Sequence, residues 1–140
     1  AGPAHLEGFG SIDKVASSKA EIYSGIINGG SAVINADDVY ADYWRGVCSE
    51  LGADKRVLTF SMRDKSADVY ATPTCTNGDT EIQINTPLGN AGVQLAVPGE
   101  HNVMNALAAA ALAVGLDISL DNIIQGLKNF SGVPGRLATF

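Results

Sequence analysis

The stretch from Ser31 to Met62 constrains the fold of this chain more than any other. Ser31-Ala32-Val33-Ile34-Asn35-Ala36 is a short apolar run bounded by Gly29-Gly30 and Asp37-Asp38. It does not alternate, which predicts a strand of the buried, parallel kind. Residues 40–51 (YADYWRGVCSEL) have helical spacing and close at Gly52, and Arg56 to Met62 (RVLTFSM) is a second strand candidate. A strand, a helix and a strand joined by short links imply parallel pairing with a right-handed crossover. The expected class is α/β.

The flanking elements extend this plan. Ser11 is placed as a helix N-cap, with Lys14 where a capping box would have Glu. Residues 12–27 set Ile12, Val15, Ala16, Ala20, Ile22, Tyr23, Ile26 and Ile27 at mostly helical spacings, and Asn28-Gly29-Gly30 ends that segment. Beyond Met62 the period changes. Residues 68–76, 80–86 and 92–97 are strand-like, with turn chemistry at Asn77-Gly78-Asp79 and Leu88-Gly89-Asn90. They predict an antiparallel meander appended to the parallel part. An alanine-rich helix follows from His101 to about Val114, and an amphipathic helix from Asp117 to Phe130 with Ser119 as N-cap.

A length of 140 residues suits one domain with its own core, and 46% hydrophobic against 17% charged residues excludes a disordered tail. The net charge of −6 argues against nonspecific binding to nucleic acid or to anionic membranes. No apolar run approaches the ~20 residues of a membrane span. Cys48 and Cys75, with no CxxC, make a reduced, cytoplasmic protein the expectation. The chain opens Ala1-Gly2-Pro3 without Met and stops in the apolar Leu137-Ala138-Thr139-Phe140, so it is expected to be a piece of something longer.

Common catalytic signatures are missing: there is no GxxxxGK[ST], GxSxG, HExxH or Cys–His cluster. Taken singly, the polar candidates read modestly. His5, in a glycine-rich loop two residues before Glu7, reads as a solvated side chain, and Lys19 beside Glu21 as a solvated charge. Asn102 and Asn105 are i,i+3, so their carboxamides share one face at a helix N-terminus. They can cap the helix or present donors and acceptors to a planar polar ring, and capping accounts for only one of them. Arg136, after Val133-Pro134-Gly135, suits a salt bridge or a phosphate contact equally. Trp44 is most simply core, and neither cysteine carries a functional signal.

The order of the motifs says more than any one of them. PAHLEGFGS, SSKAEIYSGI, INADD, PGEHNVMNALAAAALA and GVPGRL together resemble the central, ATP-binding domain of the Mur ligases, from Pro3 to Leu137. Ala4-His5-Leu6-Glu7-Gly8 and Lys19-Ala20-Glu21-Ile22 are most similar to the branch that joins D-Ala-D-Ala to a UDP-N-acetylmuramoyl-tripeptide. Other Mur ligases and the folylpolyglutamate synthases share these landmarks in the same order and stand as alternatives.

The resemblance implies a fragment of a P-loop-NTPase-like parallel sheet flanked by helices, with the small meander beside it. It implies a cytoplasmic ligase of peptidoglycan precursor synthesis that uses ATP and Mg²⁺. ATP would phosphorylate the tripeptide carboxylate, and the dipeptide amine would then attack the acyl phosphate and release phosphate. Phosphorylation is needed because a free carboxylate would have to expel oxide. By the same resemblance, Lys19 would be the catalytic lysine that takes up CO₂ as a carbamate, a hard oxygen ligand suited to Mg²⁺, with His5 as a further metal ligand. Asn102 and Asn105 would face the adenine with His101 beside them, and Arg136 would reach the terminal phosphate. The family's phosphate loop, a metal-binding acidic residue and the UDP-substrate domain would precede Ala1, and its amino-acid domain would follow Phe140. On this reading residues 1–140 are one partial central domain, inactive alone. The rival is a non-catalytic module that binds a partner through the open edge of an incomplete sheet.

Overall fold

A computed structural model of the chain describes residues 11–76 and 79–131. The elements are helix α1 (Ile12–Ala20), a 3₁₀ turn (Glu21–Gly25), strand β1 (Ser31–Asn35), helix α2 (Ala41–Glu50), strands β2 (Arg56–Ser61), β3 (Val69–Thr76), β4 (Asp79–Thr86) and β5 (Gly89–Leu95), and helices α3 (Glu100–Gly115) and α4 (Leu120–Asn129). All five strands form one sheet in the order β1-β2-β3-β4-β5. The α/β expectation holds, and the antiparallel meander is appended to the parallel part within one continuous sheet, as expected.

Ser11 caps α1 by accepting from the Lys14 N–H at 3.2 Å, and Ser119 caps α4 by accepting from Asn122 N–H at 3.4 Å. The first helical segment is shorter than its periodicity implies. It tightens into the 3₁₀ turn at Glu21, and Gly29 with φ +76° completes the exit toward β1. Strand β5 starts three residues earlier than its apolar content suggests. The Thr86 hydroxyl donates to the Gly89 carbonyl and accepts from Leu88 N–H, closing a turn on Pro87-Leu88 and bringing Thr86 opposite Gly89.

Strands β1 and β2 pair in parallel, from Ser31 opposite Arg56 to Asn35 opposite Phe60, with α2 as the crossover. Ala32 and Ile34 face α1 and α2, where they pack with Ala16, Ala20, Trp44 and Cys48. The Trp44 indole donates to the Ala16 carbonyl at 3.0 Å, tying α2 to α1. Burial along β1 alternates, although its sequence does not. Its other face meets the end of α3, where the Ser31 hydroxyl bonds the Gly115 carbonyl at 3.2 Å. A Cβ on Gly115 would lie 2.9 Å from that of Ser31, so the close approach requires glycine.

The β2–β3 pairing is also parallel but covers only Phe60 with Val69 and Ser61 with Tyr70. A parallel neighbour ordinarily needs a crossover of a dozen or more residues. Here β3 starts where β2 ends and runs on in the same direction, so the short link at 62–68 needs no return. The β3–β4–β5 ladder therefore projects beyond the carboxyl end of β2. One face of the whole sheet packs on α3 and α4 through a core that includes Leu58, Val69, Ile82, Ile84, Val93 and Leu107.

Candidate nucleotide site

Because β5 ends on the projecting side of the ladder, α3 begins beyond the carboxyl ends of β1 and β2 and returns to the start of β1 at Gly115. In open α/β sheets that carboxyl-end region is where ligands bind. The turn into α3 depends on Gly99, whose φ of 101° and ψ of 148° suit glycine alone. The exposed His101 ring folds back over this glycine, within 3.0 Å of where a Cβ would stand.

Asn102 and Asn105 sit on one face of the first turns of α3. Asn102 is half-buried and its amide donates to the Pro98 carbonyl at 2.6 Å, while Asn105 is exposed one turn further on. Both line a groove of about 380 Å³ between α3 and α4, within the roughly 300–1,000 Å³ of small-molecule sites. Its floor and walls are mostly apolar and include Ala106, Ala109, Ala110, Ile123 and Leu127. An apolar groove with carboxamides at its rim is chemically suited to a purine. The ring faces are apolar, and one Asn can both donate to and accept from an adenine edge. The residues present therefore fit a nucleotide base.

The carboxyl ends of β1 and β2 carry a second polar constellation. Asp37 accepts from the Ser61 hydroxyl at 2.5 Å and from Met62 N–H at 2.8 Å. Ser61 is fully buried, and its oxygen in turn accepts from the N–H groups of Arg63 and Asp64. Asn35 accepts from Asp37 N–H and Asp38 from Tyr40 N–H, each at 2.9 Å, which shapes the loop into α2. The Tyr40 hydroxyl donates to Asp13 on α1. That carboxylate raises the Tyr40 phenol above its ordinary pKa. Burial raises the Cys48 thiol.

The structure thus brings Asn102 and Asn105 together and sets His101 beside them. Lys19 stands apart on the last turn of α1, exposed. His5 and Arg136 lie outside the described residues. Trp44 is core, as expected. Asn122 and Gly126 of α4 also line the groove, and sequence reasoning missed both. The tie between Asp37 and Ser61 joins residues 24 apart, and INADD gave only its first half. Among the described residues no three or more His, Cys, Asp or Glu side chains gather into a metal cage, and no helix is long and apolar enough to cross a membrane.

Comparison with known proteins gives the family. The chain is 44% identical over 135 residues to the UDP-N-acetylmuramoyl-tripeptide–D-alanyl-D-alanine ligase of Escherichia coli (strain K12), covering 96% of this chain and 29% of that protein. The crystal structure of MurF from Acinetobacter baumannii superimposes with a TM-score of 0.87 at 35% identity, covering 97% of this chain and 29% of the other. The MurF ligase from Thermotoga maritima, solved in complex with ADP, shares the fold with a TM-score of 0.73 at 23% identity, over 96% of this chain and 30% of that one. The sequence profile of the Mur ligase middle domain matches residues 1–113. With that match spanning most of its length, the chain belongs to the Mur ligase family.

Proposed function

We propose that this chain is the nucleotide-binding middle part of a cytoplasmic, ATP-dependent ligase that joins D-Ala-D-Ala to a UDP-N-acetylmuramoyl-tripeptide in peptidoglycan precursor synthesis. The observation that carries the reading is the groove with Asn102 and Asn105 at its rim, in a chain 44% identical to the Escherichia coli enzyme of that activity. The chain spans under a third of the length of that relative, so the tripeptide and dipeptide sites are assigned to the rest of the parent protein.

In this reading the adenine lies in the groove against the small side chains of α3. Asn105 reads its polar edge and Asn102 supports it through the oxygen left free by the Pro98 bond. Base contacts of this kind orient the nucleotide without touching the reacting phosphate, so they act mainly on binding. His101 flanks the entrance, and Arg136 would meet the terminal phosphate with its guanidinium fork.

Lys19 is proposed as the carbamate-bearing catalytic residue and, with His5, as a ligand of Mg²⁺. The described residues do not form a metal site by themselves. When bound, Mg²⁺ would offset charge on the phosphate oxygens, holding mostly to those oxygens and to water. Forming a carbamate needs a neutral amine, so cover over Lys19 from the parent protein would favour it.

The test is ATP-dependent phosphate release by the full-length protein. Turnover is expected only with the UDP-linked tripeptide and D-Ala-D-Ala together, and Lys19→Ala should nearly abolish it. Turnover driven instead by a single amino acid or by a folate would overturn the substrate assignment. A fully active Lys19→Ala enzyme would remove the carbamate.

A further inference from the structure

Helix α3 carries the two asparagines at one end and a tight contact with the sheet at the other. Gly115 closes the helix against the first residue of β1, where the Ser31 hydroxyl donates to the Gly115 carbonyl at 3.2 Å. No side chain fits between them. A Cβ on Gly115 would stand 2.9 Å from the Ser31 Cβ and 3.3 Å from a Leu58 methyl. At 1.5 Å per residue, Asn105 lies about 15 Å and Asn102 about 20 Å from this contact along the helix axis.

A push at Gly115 reaches the asparagines only if the end of the helix holds its shape. Asp117, at φ +57°, is the one non-glycine residue with positive φ among the described residues. Its left-handed turn lets Asp117 N–H donate to the Val114 carbonyl and Ile118 N–H to the Ala113 carbonyl, both at 3.0 Å. Leu116 N–H donates to the Leu112 carbonyl at 3.0 Å, and the Ser31 hydroxyl serves the Gly115 carbonyl. Each carbonyl from Leu112 to Gly115 therefore has a partner, and fraying would break these bonds. Between the two ends runs a buried spine of Val103, Leu107, Ala110 and Val114, all at 2% exposure or less. Seated on that spine, the helix answers a displacement at one end by tilting, and the other end moves with it.

We infer that Ser31 and Gly115 are positioning residues for the nucleotide site: their close contact sets the tilt of α3, and with it the reach of Asn102 and Asn105 toward the base. This rests on the nucleotide reading above and extends it to the opposite end of the helix. Neither residue touches the ligand or the reacting phosphate, so the pair acts on ATP binding and not on the chemical step.

The experiment is steady-state kinetics of the full-length protein with ATP as the varied substrate. It compares Gly115→Ala, Ser31→Gly, the two combined, and Asn105→Ala, each with its thermal midpoint. Gly115→Ala should raise the KM for ATP by about two- to tenfold, the worth of one hydrogen bond drawn out of reach of the base, while kcat stays unchanged. Ser31→Gly removes the carbon that the new methyl would meet. Alone it should lower the thermal midpoint, because β1 loses a side chain and a hydroxyl bond, and leave KM unchanged. Combined with Gly115→Ala it should return KM to the wild-type value although the midpoint stays below wild type. A KM that instead tracks the midpoint through these variants would reduce the effect to lost stability and overturn the inference. So would an unchanged KM in Gly115→Ala when Asn105→Ala raises it, since the helix end would then have yielded locally. If Asn105→Ala also leaves KM unchanged, the nucleotide reading of the groove fails and takes this inference with it. Should Gly115→Ala not fold, Ser31→Val crowds the same contact from a strand position that favours a β-branched residue. A raised KM in that variant supports the inference, and a wild-type KM refutes it.

Discussion

Severing the tie between Asp37 and Ser61 tests how the carboxyl ends of the two parallel strands are held. The Asp37 carboxylate takes the Ser61 hydroxyl at 2.5 Å and Met62 N–H at 2.8 Å, and Ser61 has no solvent exposure. Asp37→Ala would leave a buried hydroxyl without an acceptor, a penalty of about 1–3 kcal/mol, and remove hydrogen bonds to a charged group worth about 1.5–3 kcal/mol. Asp37 is only half-buried, so water recovers part of this, and a loss of about 2–4 kcal/mol is expected. Ser61→Ala should cost less, about 1–2 kcal/mol, because the Arg63 and Asp64 N–H groups that it accepts can turn toward water. Once Asp37 is gone, the unpaired hydroxyl is a liability, and removing it should cost almost nothing. A double-mutant cycle should therefore show a coupling of about 1–2 kcal/mol, the whole cost of Ser61→Ala. The assay is urea unfolding of the chain and its three variants, with equal slopes confirming that the same transition is compared. Single effects that add to within about 0.5 kcal/mol would refute the claim that the two side chains act as one unit.

Two further outcomes follow from the same structure. The Tyr40 phenol is raised by its hydrogen bond to Asp13. Its contribution to stability is thus fully present below the unfolded tyrosine value of about 10 and lost as pH climbs through the higher folded value. Wild type should lose stability more steeply than Tyr40→Phe above about pH 10, and parallel curves from unfolding titrations would contradict this. Gly99→Ala forces a side chain into a backbone region suited only to glycine and should cost about 1–3 kcal/mol. It should also raise the KM for ATP of the full-length protein by shifting the first turn of α3, and an unchanged melting curve would count against it.

Much of the fold was legible because local chemistry agreed with the final packing. Ser11 and Ser119 announce their helices through caps that need only the next turn, and the crossover from β1 to β2 follows from hydrophobic runs and short links. What was not legible depends on residues far apart in the chain. The contact of β1's second face with α3 is made at Gly115, 84 residues after Ser31. The two-pair overlap of β2 with β3 is set by where Asp68 accepts from the Thr59 N–H and hydroxyl, substituting for strand pairing just before β3 begins. The early start of β5 was hidden because Gly89-Asn90-Ala91-Gly92 carries no β-branched residue. In the site, the Asn102–Asn105 spacing shows one face of one helix. Asn122 and Gly126 belong to another helix and join the groove only where the two helices lie side by side.

The narrow overlap of β2 with β3 also bears on how the molecule opens. Two residue pairs form that seam, against seven between β3 and β4 and seven between β4 and β5. The hairpins from β3 to β5 close over short sequence separations and can form as one cooperative unit, whereas β1 relies on α1 and α2 for the cover of one face. Helix α3 crosses the seam: it leaves the ladder after β5 and ends against Ser31 at the head of β1. It works as a staple between the two parts of the sheet. A nucleotide seated on its first turns would tighten the staple at one end, so occupancy should slow amide exchange in β1, on the far side of the seam from the ligand.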